Sequence, residues 1–482
     1  METDVLVIGG GVAGLTVAWK SKGAVIVATK AKLGESNTRY AQGGIAAALG
    51  KDDAPRLHVQ DTLRAGDGLV KESTARTLAQ NIPLLVRQLY ALGVPFQKEG
   101  VHFKLSREAV HSRARIVHVS DSTGKAVSEG LLWAAKKKAR MLDECLAVRL
   151  LLSKGTCVGC LFLDLKKKRL FPIFAKAVVL ATGGAGQLYS HSTNPSIATA
   201  DGVALAYEAG ASVEDLEFMQ FHPTCLAGTS FLISETLRGE GGILKNKFGE
   251  AFMRKYHRDG ELAPRDVVAK FSLIEMQRTK TKNVWLDVRH LGAEYLKKRF
   301  PMIYGKCLER GVDLTKEMIP VSPAAHYQCG GIRVDSEGRT NVNGLFAVGE
   351  CSSTGLHGAD RLASNSLAEG LVFGSIVAKE LQKKGFAKPQ LLAQEKSIHE
   401  IDANLKKLHK FNSSDLKKIR GLRIQLQEEM WKNVGILRTM KGLEIAKRKL
   451  GTILLKAEKI LEKGISKEPL ELRNLCVVGL LV

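Results

Sequence analysis

The N-terminal segment constrains the fold of this chain more than any other part of it. An apolar run from Asp4 to Ile8 leads into Gly9-Gly10-Gly11-Val12-Ala13-Gly14, and a helix-like segment from Leu15 to Lys20 follows. Glycines at this spacing permit a tight turn, close approach of the backbone to a pyrophosphate and tight packing of the helix on the strand. The helix N-terminus also favours a negative phosphate. We therefore predict a strand, a turn and a helix that bind a dinucleotide.

Two later apolar strands also end in glycine. Ala177 to Gly184 is one of them, and Gly344 to Glu350 is the other. Glycine at the carboxyl edge of a parallel sheet lets the backbone come close to a cofactor. We expect the three strands to meet around one ligand, with Glu350 accepting hydrogen bonds from sugar hydroxyls. Taken singly, each could also be a buried strand that turns into a loop.

The acidic residue that usually follows the second strand of a dinucleotide fold is replaced by a lysine. The run Ala24 to Val27 continues into Ala28-Thr29-Lys30. A cation at this position would suit phosphate or ribose oxygens. The alternative is a solvated loop lysine, because lysine is mostly exposed in proteins.

The segment from Leu356 to Leu367 combines a fixed cation, Arg361, with a histidine, His357, and glycine-containing backbone, just after Gly349-Glu350. Arginine can hold a carboxylate bidentately, which fixes the plane of the carboxylate as well as its position. We interpret the segment as a cofactor clamp joined to a carboxylate receptor.

Taken together, the ordered motifs of this chain resemble those of the flavoprotein family of succinate dehydrogenase, fumarate reductase and L-aspartate oxidase. The motifs are Gly9 to Gly14, Ser36 to Gly44, Gln220 to Thr224, Glu235 to Gly241, Ala263 to Asp266, Ala325 to Gly331 and Leu356 to Leu367. The resemblance runs from about residue 4 to the end of the chain, where Met430 to Thr439 and Leu470 to Leu475 resemble the family's C-terminal helices.

The resemblance implies FAD as the cofactor, held without a covalent bond. In the membrane-associated members, the segment resembling Ser36-Asn37-Thr38 carries a histidine joined to the flavin, and an amide cannot form that bond. This departure fits an amine-oxidising member better than a succinate dehydrogenase. The cofactor-binding residues that we expect are Gly9, Gly10, Gly11, Val12, Ala13, Gly14, Lys30, Asn37, Thr38, Arg39, Tyr40, Ala41, Gln42, Gly43, Gly44, Asp201, Glu350, Ser366 and Leu367.

The same resemblance implies a receptor for L-aspartate, which carries two carboxylates and one ammonium. The receptor needs several donors and one acceptor. The expected catalytic residues are Arg265, Glu108, His222, His326 and Arg361, and the expected substrate-binding residues are Ser234 and Glu235. Glu108 matches the family glutamate that faces the ammonium, and Ser234 keeps the hydroxyl of the family's usual threonine. Each has a structural alternative, such as pairing of Arg265 with Asp266.

The implied reaction is oxidation of L-aspartate to iminoaspartate by hydride transfer from Cα to flavin N5. Proximity and orientation would supply much of the rate. The electrons would pass to O2, giving H2O2, or to fumarate, giving succinate, and iminoaspartate would feed quinolinate synthase in de novo NAD biosynthesis. Arg265 would act as a proton carrier or only electrostatically. The alternative within the family is a soluble fumarate reductase that uses the same site.

Composition agrees with a multi-domain enzyme. The chain has 482 residues and 45% hydrophobic content, enough to bury two or three cores. With neither a membrane-spanning run nor a signal-peptide pattern, we expect a cytoplasmic protein. The lone pair Cys157 and Cys160 predicts apolar packing rather than a metal site, so no metal is expected.

The charge balance is strongly basic. Lys and Arg number 72 against 49 Asp and Glu, a net charge of +23. Such a charge can indicate nucleic-acid or acidic-membrane binding. However, Glu444 and Glu458 interleave with the lysines of the tail, which predicts a solvated helical face and neither kind of partner. A basic flavin-fold protein that binds polyanions stays open as an alternative.

The positions of the motifs predict an α/β protein with a doubly wound, Rossmann-like FAD-binding domain formed by 1–216 and 330–388. An α+β capping domain, 217–329, is inserted into it, and the active site lies between the two. A helical domain, 389–482, follows Lys388-Pro389. Its predicted apolar stripe consists of Leu443, Ala446, Leu450, Ala457 and Leu461. We expect a monomer or homodimer.

Overall fold

A computed structural model describes residues 1–383 and 411–482, so the predicted boundary at Lys388-Pro389 lies outside the described residues. The strands are β1 Glu2–Ile8, β2 Val25–Ala28, β3 Ile45–Ala46, β4 Lys98–Glu99, β5 His102–Phe103, β6 Leu105–Ser106, β7 Ile116–Val117, β8 Arg140–Leu142, β9 Cys145–Ser153, β10 Thr156–Asp164, β11 Arg169–Leu180, β12 Val213–Glu214, β13 Met219–Leu226, β14 Ile243–Lys245, β15 Val284–Asp287, β16 Ile319–Gln328, β17 Gly331–Arg333, β18 Leu345–Ala347 and β19 Ser352–Ser353. The helices are α1 Val12–Lys20, α2 Pro55–Ala65, α3 Glu72–Ala91, α4 Thr123–Lys136, α5 Asp201–Glu208, α6 Thr236–Gly239, α7 Met253–Tyr256, α8 Arg265–Thr279, α9 Ala293–Arg299, α10 Pro301–Leu308, α11 Asn365–Glu380, α12 Ser413–Asn433, α13 Met440–Leu461 and α14 Lys467–Leu481. Short 3-10 helices span Asn37–Tyr40, Gly186–Leu188, Gly260–Leu262, Arg289–Leu291 and Gly349–Cys351.

The largest sheet brings the three glycine-terminated strands side by side. It has seven strands in the order β8-β2-β1-β11-β10-β9, with β18 also paired to β11. β1 is parallel to β2 and β11. The first half of β11 pairs with β10 in antiparallel fashion, and its last residues pair in parallel with β18. The carboxyl ends of β1, β11 and β18 therefore meet at one edge of the sheet, as the sequence predicted.

Alternation along β1 divides its side chains between two cores. Val5 and Val7 pack in one core with α1, α3, α4 and α11. Leu6 and Ile8 pack in the other, together with residues of the C-terminal helices. Successive strand residues point to opposite faces, so a parallel sheet that is covered on both faces has a continuous apolar sequence. This double covering explains the uninterrupted apolar run of β1.

The C-terminal helices α12, α13 and α14 cover one face of this sheet. Leu426, Leu450 and Leu475, one from each helix, belong to the same core as Leu6. The apolar stripe predicted from the sequence lies on α13 and faces inward: Leu443, Ala446, Leu450, Ala457 and Leu461. The lysines between these positions are exposed. The prediction of an apolar stripe that packs on the body of the protein is confirmed.

A second sheet lies within the predicted insertion. It is antiparallel, with the order β13-β16-β15-β14, and it has its own core with residues such as Leu244 and Val268. β13 carries His222, β16 carries His326, and α8 begins at Arg265. The fold is the predicted α/β class, with a doubly wound sheet, an inserted α+β unit and C-terminal helices. The exact residue boundaries of the insertion stay a prediction.

The cysteines are all buried thiols. Cys157 and Cys160 lie in β10 and contribute to the core that contains Leu6, which agrees with the apolar packing predicted for them. Across residues 1–383 and 411–482, none of the helices combines the length and the hydropathy needed to cross a membrane.

Candidate active site

One cavity joins the glycine-rich turn after β1 to the arginines of the inserted unit. Its volume is about 1650 Å³ when the part open to solvent is included. The predicted site residues that line it are Gly9, Gly10, Gly11, Val12, Ala13, Lys30, Asn37, Thr38, Tyr40, Ala41, Gln42, Gly43, Gly44, Glu108, Asp201, His222, Ser234, Glu235, Arg265, His326, Glu350, Arg361, Ser366 and Leu367. Residues that are far apart in sequence thus line one cavity.

Two predicted cofactor residues, Gly14 and Arg39, do not line this cavity. A Cβ on Gly14 would come within 2.2 Å of the Gly9 carbonyl oxygen, so Gly14 allows α1 to pack on β1. Arg39 does not line the cavity; its side chain is 37% exposed and pairs with Glu129 at 3.7 Å. The contact at Gly14 agrees with the helix-packing role that the glycine spacing predicted. Arg39 has a surface ion pair instead of a place in the cavity.

The turn between β1 and α1 has the backbone geometry of a phosphate cradle. Gly9 has φ +124°, and a Cβ there would lie 2.0 Å from the Ala181 carbonyl oxygen at the end of β11. The first turn of α1 is uncharged, and Val12 N–H donates to Thr38 Oγ1 at 3.0 Å. The positive end of the helix dipole at the cavity wall favours an anionic group there.

The end of β18 places a partly buried carboxylate, that of Glu350, beside Asn37. Asn37 Nδ2 donates to Glu350 Oε2 at 3.1 Å, and Gln328 N–H donates to Oε1, also at 3.1 Å. Burial raises the pKa of Glu350 to about 7. A Cβ on Gly184 would come within 2.3 Å of this carboxylate. Glu350 thus faces the cavity as an acceptor, which fits the sugar-hydroxyl contact predicted for it.

Lys30 lies in the cavity wall within an ion-pair cluster. Its Nζ donates to Asp201 Oδ2 at 2.7 Å, to Glu471 Oε1 at 2.9 Å and to Thr199 Oγ1. A lysine ammonium has three donors, so these partners occupy all of them. Despite burial, the two carboxylates hold the pKa of Lys30 above its ordinary value. The cluster joins the end of β2 to α5 and to α14, while direct binding of phosphate or ribose oxygens by Lys30 stays a prediction.

Two buried arginines form the opposite end of the cavity. Arg265 Nε donates to Glu235 Oε2 at 2.5 Å, and its Nη1 donates to Gln220 Oε1 at 3.0 Å. Arg361 Nη2 donates to the same Gln220 oxygen at 2.9 Å. Within the described residues, Arg361 Nε is buried and has no hydrogen-bond partner. Leaving a buried donor without a partner costs free energy. A carboxylate bound in this cavity would accept a hydrogen bond from Arg361 Nε.

Arg361 also stacks on a ring held by a second network. Its guanidinium lies 4.5 Å from the centre of the Tyr327 ring, and the Tyr327 hydroxyl donates to Glu369 at 2.9 Å. His357 Nε2 lies 3.0 Å from the same carboxylate. His357 does not line the cavity, so it supports the ring beneath Arg361 and does not itself form part of the receptor.

Two carboxylates lie near the arginines and differ in character. Glu108 Oε2 accepts from Ser364 Oγ at 2.7 Å, and burial together with the charge of Glu235 raises the pKa of Glu108. Burial also raises the pKa of Glu235, but Arg265 and Arg238 outweigh it and leave that pKa below its ordinary value. Glu235 is therefore the ion-pair partner of Arg265 and Arg238, whereas Glu108, whose pKa is raised, accepts a hydrogen bond from a hydroxyl.

Of the two predicted histidines, His222 is buried and His326 is partly buried, and both are neutral. Burial lowers the pKa of His222 and of His326 well below the ordinary value, and the nearby arginines add to this effect. The Thr224 N–H donates to His222 Nδ1 at 3.2 Å, which assigns the proton to Nε2. His326 Nδ1 lies 2.8 Å from Thr193 Oγ1. As a neutral donor, His222 can hydrogen-bond a carboxylate without adding charge.

Sequence reasoning gave no role to several residues that the structure places in or beside the site. Ser364 has φ +61°, a conformation that is strained for a residue with a side chain, and its hydroxyl reaches Glu108. Asn194 donates to the His326 carbonyl at 2.8 Å and lines the cavity. Gln220 lay within a quoted motif without an assigned function. No sequence pattern distinguished this residue, because an amide can donate or accept.

The ends of three strands, the glycine-rich turn before α1 and the Glu350 carboxylate line one cavity, an arrangement typical of dinucleotide-binding proteins. A family model described as FAD binding domain matches residues 4–367. L-aspartate oxidase of Yersinia pestis is 42% identical over 100% of this chain and 92% of its own length. The chloroplastic L-aspartate oxidase of Arabidopsis thaliana is 40% identical over 99% of this chain and 78% of its own length. An E. coli quinol fumarate reductase FrdA mutant has a similar structure, with a TM-score of 0.92 and 30% identity over 100% of this chain and 87% of that one.

The chain therefore belongs to the L-aspartate oxidases within this FAD-binding family of succinate dehydrogenase and fumarate reductase flavoproteins.

Proposed function

We propose that this protein oxidises L-aspartate to iminoaspartate with noncovalently bound FAD. The observation that carries the proposal is the single cavity in which the phosphate cradle at Gly9 continues to two buried arginines and Glu108. A dinucleotide and a dicarboxylate with an ammonium group could bind there side by side.

The residues of this chain fit FAD at the cradle end. The N-terminus of α1 would hold the pyrophosphate, and Glu350 would accept from a sugar hydroxyl. Asn37, which donates to Glu350, cannot form a histidyl bond, and this supports noncovalent attachment. When bound, the flavin supplies the hydride-accepting centre, and the protein supplies position and charge.

Arg361 and Arg265 would bind the substrate carboxylates, with His222 Nε2–H as a third donor. Arg361 offers the unpaired Nε, and its other nitrogens are fixed by neighbouring groups. Glu235 and Glu108 hold the pKa of Arg265 above its ordinary value although burial opposes them. Since Arg265 thus stays charged, we propose that its role in aspartate oxidation is electrostatic rather than proton transfer.

Glu108 would accept a hydrogen bond from the substrate ammonium. It lies in a loop that faces Ser364, and Gly43 leaves room beside it, because a Cβ there would come within 2.7 Å of Glu108 Oε1. A bound ammonium would favour the ionised carboxylate and so lower the raised pKa of Glu108. This contact would orient the nitrogen and the Cα hydrogen of the substrate.

The proposed activity predicts that the purified yellow protein is bleached by L-aspartate without oxygen. Anaerobic mixing in a stopped-flow spectrophotometer measures the loss of the flavin band, and iminoaspartate is trapped as a hydrazone. Air or fumarate should then restore the colour, which would identify O2 or fumarate as an acceptor. D-aspartate, which presents its Cα hydrogen in the opposite sense, serves as the control and should leave the flavin oxidised.

Two alternatives give other results. A soluble fumarate reductase would ignore aspartate, and its chemically reduced flavin would be reoxidised by fumarate. A basic polyanion-binding protein would show neither reaction and would be retained on heparin in a strongly salt-dependent way. The shared arginine site favours the first alternative over the second, since fumarate is also a dicarboxylate.

We further propose that the enzyme works in the cytoplasm as a monomer or homodimer. Iminoaspartate would pass to quinolinate synthase as the first step of de novo NAD biosynthesis. The support for this placement is the resemblance to L-aspartate oxidases along the whole chain.

A further inference from the structure

Gln220 occupies the position between the two arginines of the receptor. It lies on β13 and is 3% exposed. Its Oε1 accepts from Arg265 Nη1 at 3.0 Å and from Arg361 Nη2 at 2.9 Å. Its Nε2 donates to Asp360 Oδ1 at 2.5 Å and to the Arg361 carbonyl at 2.8 Å. All four contacts of this one amide are therefore made to the arginines or to the segment that carries Arg361.

Only one orientation of the Gln220 amide satisfies these neighbours. Guanidinium groups only donate and a backbone carbonyl only accepts, so the two arginines and the Arg361 carbonyl already select this orientation. Burial raises the pKa of Asp360 to about 7, and its ionised form accepts from the NH2 end as well. Turning the amide over would set its NH2 against two cations and its oxygen against two acceptors. Asp360, which accepts from the NH2 end, thereby fixes the oxygen end toward both arginines.

The two buried cations repel each other, and the charge of Arg265 adds to burial in lowering the pKa of Arg361. A shared acceptor between them offsets this repulsion and fixes two long side chains that would otherwise sample many rotamers. A receptor for two carboxylates needs its two cations at a set spacing.

We propose that Gln220, oriented by Asp360, is the positioning residue that sets the spacing and direction of Arg265 and Arg361 for the two carboxylates of the substrate. The inference rests on the proposed function, because it assigns the arginines to a dicarboxylate.

Two substitutions of Gln220 test this role. Gln220→Leu removes the shared acceptor, and the affinity for the non-reacting dicarboxylate malonate should fall about 10- to 100-fold, because two charged donors lose a partner. KM for L-aspartate should rise in the same proportion, with kcat affected less. Gln220→Glu should also weaken binding, because its carboxylate would face Asp360 and the Arg361 carbonyl.

A sharper test exchanges the amide of residue 220 with the carboxylate of residue 360. In the double variant Gln220→Glu with Asp360→Asn, the amide of residue 360 can donate to the carboxylate of residue 220, and the net charge of the pair is unchanged. Malonate affinity should recover clearly relative to Gln220→Glu alone. Asp360→Asn alone keeps an oxygen that can accept from Gln220, so it serves as the reference for the double variant.

Calorimetry measures malonate binding, and flavin fluorescence with a thermal melt checks that each variant holds FAD and folds. The matched control is Gln88→Leu, because Gln88 also accepts from a cation, Lys20, at 2.7 Å but lies outside the cavity. This control should change affinity by no more than about twofold. Unchanged malonate affinity in Gln220→Leu, or a double variant no better than Gln220→Glu, overturns the inference.

The result also separates this inference from the proposed function. If wild-type protein binds malonate through Gln220 but is not bleached by aspartate, the positioning role stands and the oxidase proposal fails. If aspartate bleaches the flavin and Gln220→Leu leaves KM unchanged, the oxidase proposal stands and the positioning role fails. Should Gln220→Leu not fold, the comparison of Gln220→Glu with the double variant decides.

Discussion

Arg265→Leu should lower kcat/KM for L-aspartate by about two to three orders of magnitude, the loss typical of removing a donor aimed at charge in the transition state. Arg265 is the first residue of α8, and its guanidinium joins Glu235 to Gln220. Leucine would remove the cation, leave the buried Glu235 with a weaker partner and expose the substrate carboxylate to an apolar wall. Oxygen consumption with varied aspartate measures the loss.

The control for this variant lies on the same helix. Arg278→Leu removes an arginine whose side chain is 49% exposed and pairs with Glu275. Its activity should stay close to wild type, because the pair lies outside the cavity and the buried Glu275 keeps hydrogen bonds from Tyr256 and Asn246. FAD binding, followed by quenching of flavin fluorescence, should be equal in both variants. An Arg265→Leu protein that turns over aspartate as fast as Arg278→Leu would exclude a role for this cation in the reaction.

The sequence predicted the central sheet well because its signals are local. The apolar run before Gly9 indicates a strand that is covered on both faces, and the glycines at the ends of β1, β11 and β18 have an immediate steric cause. The start of β11 was not predicted. Its first residues pair with β10 rather than β18, and this exchange of neighbours depends on tertiary contacts.

Contacts between distant segments were beyond the reach of the sequence patterns. Lys30 was expected to bind phosphate or ribose oxygens, but its ammonium also pairs with Glu471, which lies 441 residues further along the chain. A local pattern at the end of β2 contains no information about α14. The sequence pattern placed His357 beside Arg361 in the predicted clamp. In the structure, His357 pairs with Glu369 of α11, outside the cavity.

The candidate site was predicted where each residue type has one evident use. Arginines and histidines near glycine-rich turns indicate a receptor for carboxylates. In the structure, His222, Arg265, His326 and Arg361 line the same cavity. Gln220 was not assigned because an amide can donate or accept. Its role becomes visible only when the donors on one side and the acceptors on the other are located in three dimensions.

Glu108→Gln should reduce kcat/KM for L-aspartate about 10- to 100-fold, since a hydrogen bond to a charged partner is lost. Fumarate has no ammonium, so its reduction by the same variant, with a reduced dye as electron donor, should fall much less. The ratio of the two activities is the measurement, because it cancels differences in FAD content and folding. Equal losses in both reactions would contradict the assignment of Glu108 to the substrate nitrogen.

The pH dependence provides a separate test of the same carboxylate. Glu108 binds ammonium only when ionised, and its pKa is raised by burial and by Glu235. Aspartate kcat/KM should therefore fall as the pH drops through that raised pKa, and the Gln variant should lose this acidic limb. Ser364→Ala removes a hydrogen bond that lowers the pKa of Glu108, so it should move the limb to higher pH. A limb that stays in place when Ser364 is replaced would assign the titration to a different group.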